Sequence, residues 1–340
     1  MKIYHLSHTD LDGYGAQFVL DFYFKNCVFF NSNYGREIND SFNMILNEIN
    51  NKLEENEKFI IFISDLNLTT SQCEDLENAI KDKNAKIFLL DHHQSGAESA
   101  AKYHWYLLDS SRCATKMVYE FLSKIYGTDE ELGRLVELIN AIDIWLKDDE
   151  NFELGKVFLA MVAGAREINR VLFKEENTKY IFFLLKNACK FIGQKNANIA
   201  LEDKVHFLKK DFFKAQKDDT LGNLLSHYVV KLLGENKERL SIFYEDYKGI
   251  LTYNIGNVSV IGNDFLVQNK DFDFFIDVNS RKSLSFRSND KMDVSLMAKS
   301  LVGGGGHKNA SGGLFSSFKD SSDYELIKAQ MQDLITRDKT

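Results

Sequence analysis

Apolar positions along the first hundred residues alternate between two patterns. Short, nearly continuous apolar runs at 2–7, 27–31, 59–64 (FIIFIS), 86–90 (KIFLL) and 104–108 predict strands, of the kind buried on both faces of a parallel sheet. Between them, 15–24, 37–53 and 73–81 carry apolar residues at helical spacing. The second shows it through Ile38, Phe42, Ile45, Leu46, Ile49 and Leu53. Such alternation predicts an α/β domain with a parallel sheet. The middle reads as helical: 115–126, then 130–145 through Leu132, Leu135, Val136, Ile139 and Ile142, then segments from about 167 to 217. Beyond Leu233 strands return at 240–244, 249–254, 272–279 and 283–287. Helices follow at 294–301 and 324–335, with the glycines of 303–306 interrupting. The expected architecture is a two-lobed α/β chain. Its parts are an N-terminal parallel-sheet domain with helices on both faces (1–190), a helical connector (191–225) and a smaller mixed α/β C-terminal domain (226–340).

The 340 residues exceed what one core usually organises. An apolar share of 44% and a charged share of 27% exclude a disordered, collagen-like or coiled-coil chain. No apolar run approaches the roughly 18 residues that span a bilayer, and MKIYHLSH enters a strand with no signal-peptide layout. Cys27, Cys73, Cys113 and Cys189 show no CxxC spacing and read as reduced core thiols. A cytoplasmic location without membrane contact is expected. With 42 basic against 50 acidic residues, the net charge of −8 argues against a track for long nucleic acid. It does not exclude a small anionic substrate, because bound cations reverse the local sign.

The chemistry follows the strands. After the first comes Ser7-His8-Thr9-Asp10-Leu11-Asp12-Gly13, after the third Asp65, and after the fourth Asp91-His92-His93. Ligands bind at the carboxyl ends of strands in open α/β sheets, and parallel strands bring those ends to one edge. Alone, the first motif would serve as an Asx turn, Asp65 as a helix cap and Asp-His-His as an ordinary loop. Together they crowd carboxylates that cannot all ionise without a counter-charge, and no Lys or Arg lies within them. Oxygen ligands with a few imidazoles suit Mn²⁺ or Mg²⁺ better than zinc or copper. Two such ions about 3.5–4 Å apart clamp a phosphate and supply a hydroxide for in-line attack.

These motifs resemble those of the DHH phosphoesterase family: His8-Thr9-Asp10-Leu11-Asp12-Gly13 its first, Asp65 its second, Asp91-His92-His93 the one that names it. Asp143 in Asn140-Ala141-Ile142-Asp143-Ile144-Trp145 resembles the fourth, on a helix. The stretch from Gly303 to Gly312 (GGGGHKNASG) resembles the glycine-rich signature of the DHH-associated C-terminal domain. The resemblance implies a di-manganese site, with Mg²⁺ or Co²⁺ as substitutes. His8, Asp10 and Asp65 would hold one ion, and Asp12, Asp65, His92 and Asp143 the other. Asp65 would bridge, Asp91 would orient or supplement the ligands, and His93 would contact the phosphate or the attacking hydroxide. It also implies a C-terminal lobe that holds the substrate across a cleft, and a homodimer. One departure stands out. His8 lies two residues before Asp10, where many nanoRNase and cyclic-dinucleotide members place the histidine four residues before. His5 is the poorer substitute and reads as structural.

Consecutive glycines are entropically costly. A flexible linker would explain them, as would close approach of Gly304, Gly305 and Gly306 to a phosphate. The binding reading adds His307, Ser311 and Arg287, which ends a strand; Arg281 and Lys308 read as solvated charges. The expected activity is a Mn²⁺-dependent phosphodiesterase, an oligoribonuclease that cuts short RNA and linear dinucleotides (pApA, pGpG) to mononucleotides. Asp65, Asp91, His92 and His93 would be catalytic. Cleavage of cyclic di-AMP, cyclic mononucleotides or 3′-phosphoadenosine 5′-phosphate, or a silent nucleotide-binding regulator, are the alternatives.

Overall fold

The computed structural model describes residues 1–52, 57–215 and 218–337. Leu53 and Lys217, ends of two expected helices, lie outside them. The chain divides into two compact units: Met1–Ala165 with Thr178–Leu208, and Arg166–Asn177 with Lys209–Thr340.

The first unit runs β1 (Lys2–Ser7), α1 (Leu11–Tyr23), β2 (Cys27–Asn31), α2 (Arg36–Lys52), β3 (Phe59–Ser64), α3 (Thr70–Ile80), β4 (Ala85–Asp91), α4 (Ala97–Lys102) and β5 (Tyr106–Leu108). It continues with α5 (Ala114–Tyr126), α6 (Glu130–Asp143), α7 (Phe152–Ala163), α8 (Lys174–Ala188) and α9 (Ala197–Phe213), the last two crossing the division. Its five strands are all parallel, in the order β2-β1-β3-β4-β5. One face carries Tyr4, Leu6, Ile61, Ile63 and Leu89 under Ile38, Phe42 and Ile45 of α2 and Cys73 and Leu76 of α3. On the other, Phe182 of α8 meets Phe29 and is itself packed by Phe18 of α1, and Phe121 of α5 meets Phe88. The helices on both faces explain why these strands read as unbroken apolar runs. Ser7 pairs with Ser64, and Ser64 with Leu90, so His8, Asp65 and Asp91 emerge along one edge.

The second unit continues with α10 (Leu221–Glu235), α11 (Lys237–Leu240), β6 (Ser241–Tyr244), β7 (Tyr247–Tyr253), α12 (Val258–Gln268), β8 (Phe274–Val278) and β9 (Ser283–Ser288). α13 (Val294–Val302), β10 (Gly305–His307), β11 (Ala310–Leu314) and α14 (Tyr324–Arg337) complete it. Its six-stranded sheet has the order β10-β11-β9-β8-β7-β6. Only β7 and β8 run parallel. Every residue of β8 is buried, and Phe265 of α12 packs on Phe275.

The glycine run is not a free loop. Gly305–His307 pairs antiparallel with Ala310–Gly312, and the packing gives the reason. A Cβ at Gly304 would lie 2.3 Å from the Gly312 carbonyl oxygen, and one at Gly306 2.6 Å from that of Ala310. Gly303 closes α13 at φ +63, a conformation natural to glycine.

Candidate metal centre

Motif one is the turn from β1 into α1. Asp10 is the N-cap, its Oδ1 accepting from the Gly13 amide at 3.0 Å. Gly13 is required because a Cβ there would stand 2.3 Å from the His8 carbonyl oxygen. α1 therefore begins at Leu11, four residues earlier than its apolar pattern predicts, and carries Asp12 inward from its first turn.

Asp12 is buried by an element that sequence reading did not connect to it. Its two carboxylate oxygens accept from the Ala114 and Thr115 amides at 2.7 Å each, and Thr115 Oγ1 donates to the Asp12 carbonyl at 2.7 Å. These amides are orphan donors of the α5 N-terminus, where negative charge is favoured. The Cys113 amide donates to Asn140 Oδ1 at 3.0 Å. Asn140 lies one turn before Asp143 on α6, so α5 and α6 are tied where their acidic groups meet.

Asp65 stands directly after β3 at φ +56, a left-handed conformation that Asp tolerates better than most residues. It is 1% exposed. His92 Nε2 lies 3.3 Å from Asp65 Oδ1, 3.5 Å from Asp143 Oδ2 and 3.7 Å from Asp12 Oδ2. His8 Nδ1 lies 2.8 Å from Asp10 Oδ2, out of hydrogen-bonding alignment, and 3.7 Å from Asp65 Oδ2. Ligand atoms gather within 4.8 Å of one another in three groups: His8, Asp10 and Asp65; Asp65, His92 and His93; and Asp12, Cys113 and Asp143. The six expected ligands His8, Asp10, Asp12, Asp65, His92 and Asp143 thus occupy one region of the first unit. Cys113, read as a core thiol, is buried beside them, with nothing in its local sequence to mark it.

Burial and neighbouring charges pull the carboxylates of this cluster in different directions. Burial, then the charges of Asp12, Asp10 and Asp143, push the Asp65 carboxyl well above the usual range. Burial, then Asp12 and Asp10, raise Asp143 to about 9. At Asp10 burial works upward, but the nearby His8 imidazole and the Gly13 amide outweigh it and hold the carboxyl at about 2. Asp65 Oδ2, Asp143 Oδ2 and His8 Nδ1 are buried without a hydrogen-bond partner, a costly state for polar atoms. Hard oxygen donors with imidazoles, left unpaired and facing one another, fit divalent cations.

Asp91 is fully buried. Its Oδ2 accepts from Tyr106 Oη and its Oδ1 bonds His93 Nδ1, both at 2.7 Å. Burial lowers the His93 pKa, but the hydrogen bond and charge of Asp91 outweigh it and the net shift is upward. His93 Nε2 meets the Tyr34 hydroxyl at 2.9 Å. Tyr34 and Tyr106 belong to no motif, and sequence reading missed both. His5 is wholly buried and bonds Ser64 Oγ at 2.8 Å. Burial drives its pKa to about 3, so it is a core residue.

The remaining expected residues lie in the second unit. Arg287 donates to the Phe286 carbonyl at 2.8 Å and to Ser259 Oγ on α12 at 2.7 Å. Gly305, Gly306 and His307 are exposed on the edge strand β10, and Gly304 is partly buried beside it. Ser311 is buried and its hydroxyl donates to the Val294 carbonyl at 2.6 Å. That bond ties β11 to α13.

Residues 2–141 match the model of the DHH family, N-terminal domain. A 3′,5′-cyclic-nucleotide phosphodiesterase of Helicobacter pylori is 42% identical over 345 residues, covering 98% of this chain and 99% of that protein. The crystal structure of an uncharacterized protein from Helicobacter pylori G27 matches with a TM-score of 0.90 at 42% identity, covering 99% of each chain. Among the described residues no helix is long and apolar enough to cross a membrane.

Proposed function

The chain belongs to the DHH family and is a hydrolase, and from that premise we propose that it hydrolyses the phosphodiester of small nucleotides, 3′,5′-cyclic nucleotides foremost. The observation that carries this reading is the convergence of His8, Asp10, Asp12, Asp65, His92 and Asp143 with buried ligand atoms left unpaired. The cyclic-nucleotide activity of the 42% identical relative moves that substrate class from alternative to leading candidate. Linear pApA, pGpG and short RNA, favoured on sequence, become the second class to test.

His8, Asp10 and Asp65 would hold one divalent ion and Asp12, Asp65, His92 and Asp143 a second, with Mn²⁺ the ion proposed. Such ions, when bound, neutralise the scissile phosphate and lower the pKa of an attacking water. The chain's own contribution is placement. The α5 amides fix Asp12, the left-handed turn aims Asp65 inward, and Tyr106 and Asp91 lock the His93 ring. Arg287, His307 and the exposed Gly305 and Gly306 are the proposed nucleotide contacts of the second unit. A Mn²⁺-dependent assay should compare 3′,5′-cyclic AMP and GMP with pApA, pGpG, cyclic di-AMP, 3′-phosphoadenosine 5′-phosphate and a longer RNA. Release of 5′-mononucleotide from the cyclic substrates supports the reading. Hydrolysis of the linear substrates alone restores the sequence-based ranking, and nucleotide binding without product identifies a regulator.

A further inference from the structure

The side chain of Arg287 is held by α12, an element that carries none of the motifs. A Cβ at Gly262 would lie 3.3 Å from Arg287 Cγ and 3.3 Å from the Phe275 ring, so the missing side chain leaves the groove in which the arginine stem runs. One turn earlier on the same helix, Ser259 Oγ accepts from Arg287 Nη2 at 2.7 Å, and the Phe286 carbonyl accepts from Nη1 at 2.8 Å. Residues three apart share a helix face. Ser259 and Gly262 therefore act on one side chain, the first at its head and the second at its stem.

The sheet register fixes where that head stands. Arg287 pairs with Phe275 of β8 and Ala310 of β11, and Ala310 with His307 of β10. Paired residues of neighbouring strands point to the same face of a sheet, so Arg287 and His307 share the face on which Phe275 meets α12. Ser311, the next residue along β11, turns to α13 on the other. Of the five N–H groups of a guanidinium, two are bound to a carbonyl and a hydroxyl, both neutral, and the other three have no partner among the described residues. The positive charge is thus left for a ligand. An arginine already held at head and stem also loses little conformational freedom when a ligand binds. We propose that Ser259 is a positioning residue for nucleotide binding: by fixing the Arg287 guanidinium on this face, it sets the grip of the second unit on the nucleotide.

The assignment rests on the reading of Arg287 as a nucleotide contact, and its test separates it from the phosphodiesterase reading. Calorimetric titration of 5′-AMP into the full Mn²⁺-loaded chain should give a Kd about 3- to 10-fold weaker in Ser259→Ala, the worth of one hydrogen bond. For a 3′,5′-cyclic nucleotide the loss should fall on KM rather than kcat, the mark of binding lost equally in ground and transition states. Ser259→Thr, which keeps the hydroxyl, should restore both readouts. In an Arg287→Ala background, Ser259→Ala should add nothing, because a residue that acts through another is silent once that other is gone. A further loss of the same size in that background overturns the proposal, since Ser259 would then serve the fold. So does an unchanged Kd in Ser259→Ala or in Arg287→Ala. A wild-type chain that binds 5′-AMP yet cleaves no nucleotide refutes the phosphodiesterase reading, and the titrations still decide Ser259. A chain that neither binds 5′-AMP nor cleaves a nucleotide overturns both.

Discussion

Asp65 combines three costs in one residue: a left-handed backbone, near-complete burial, and crowding by Asp10, Asp12 and Asp143. Left-handed geometry alone costs on the order of 1–3 kcal/mol, so a purely structural role would favour replacing it. Asp65→Asn keeps a side chain that tolerates φ above zero and removes the charge. Turnover should drop to background and the bound-ion stoichiometry should fall. The metal-free variant should melt no lower than the metal-free wild type, because a neutral amide no longer opposes its neighbours. Wild-type rates would contradict the shared-ligand role. In the second unit, Asp277 on β8 accepts from Thr252 Oγ1 at 2.8 Å and the Ile255 amide at 3.2 Å, yet burial raises its carboxyl to about 7. The folded state thus holds this proton more tightly than the unfolded chain. Its stabilising contribution is complete below the ordinary carboxylate range and is lost as pH rises through about 7. Asp277→Asn should flatten that decline in denaturant unfolding; an unchanged pH profile would remove Asp277 as its source.

The N-terminus of α5 is the element that joins motif one to motif four. Its first amides bond Asn140 and Asp12, so it anchors an anion and holds α6 in one contact set. Asn140→Ala would leave the buried Cys113 amide without its acceptor, at a cost of about 1–3 kcal/mol. We expect a lower Tm and weaker Mn²⁺ affinity from a residue that touches no substrate; unchanged ion affinity would mean that α5 seats Asp12 without α6. None of this was readable in the sequence, because no local pattern records which side chain meets a helix end a hundred positions away. The parallel strands were readable, since burial on both faces writes them as apolar runs, and so were the Asp and His residues that follow them. α12 was missed because Val258, Val260 and Ile261 are β-branched and Gly262 interrupts them. Its helix rests on tertiary packing, such as Phe265 on Phe272 and Phe275. The glycine run was seen, but a packing reason for two of its members was not. Gly304 and Gly306 are dictated by close approach of Gly312 and Ala310, a contact between strands that spacing along the chain does not reveal.

At the scale of the whole molecule, the unpaired acidic groups lie in one of two compact units. The −8 net charge makes long polyanions poor partners, so attraction for a phosphate must come from charge added locally. Burial first, and then the charges of Asp12 and Asp10, raise the pKa values of Asp65 and Asp143, with Asp143 adding to the shift at Asp65. Cation binding removes that repulsion, and its free energy appears as stability of the elements that supply the ligands. Mn²⁺ added to the metal-free chain should therefore slow amide exchange most where those elements converge: residues 8–13, 65, 91–93, the α5 start at 113–115, and 140–143. Direct ligation predicts no comparable slowing in β6–β11 of the second unit, whose carboxylates and imidazoles join none of the three groups. Protection confined to the second unit would place the cation elsewhere and leave the gathered carboxylates without a function. Protection at the strand ends that strengthens as pH rises would show ions competing with protons for the same oxygens.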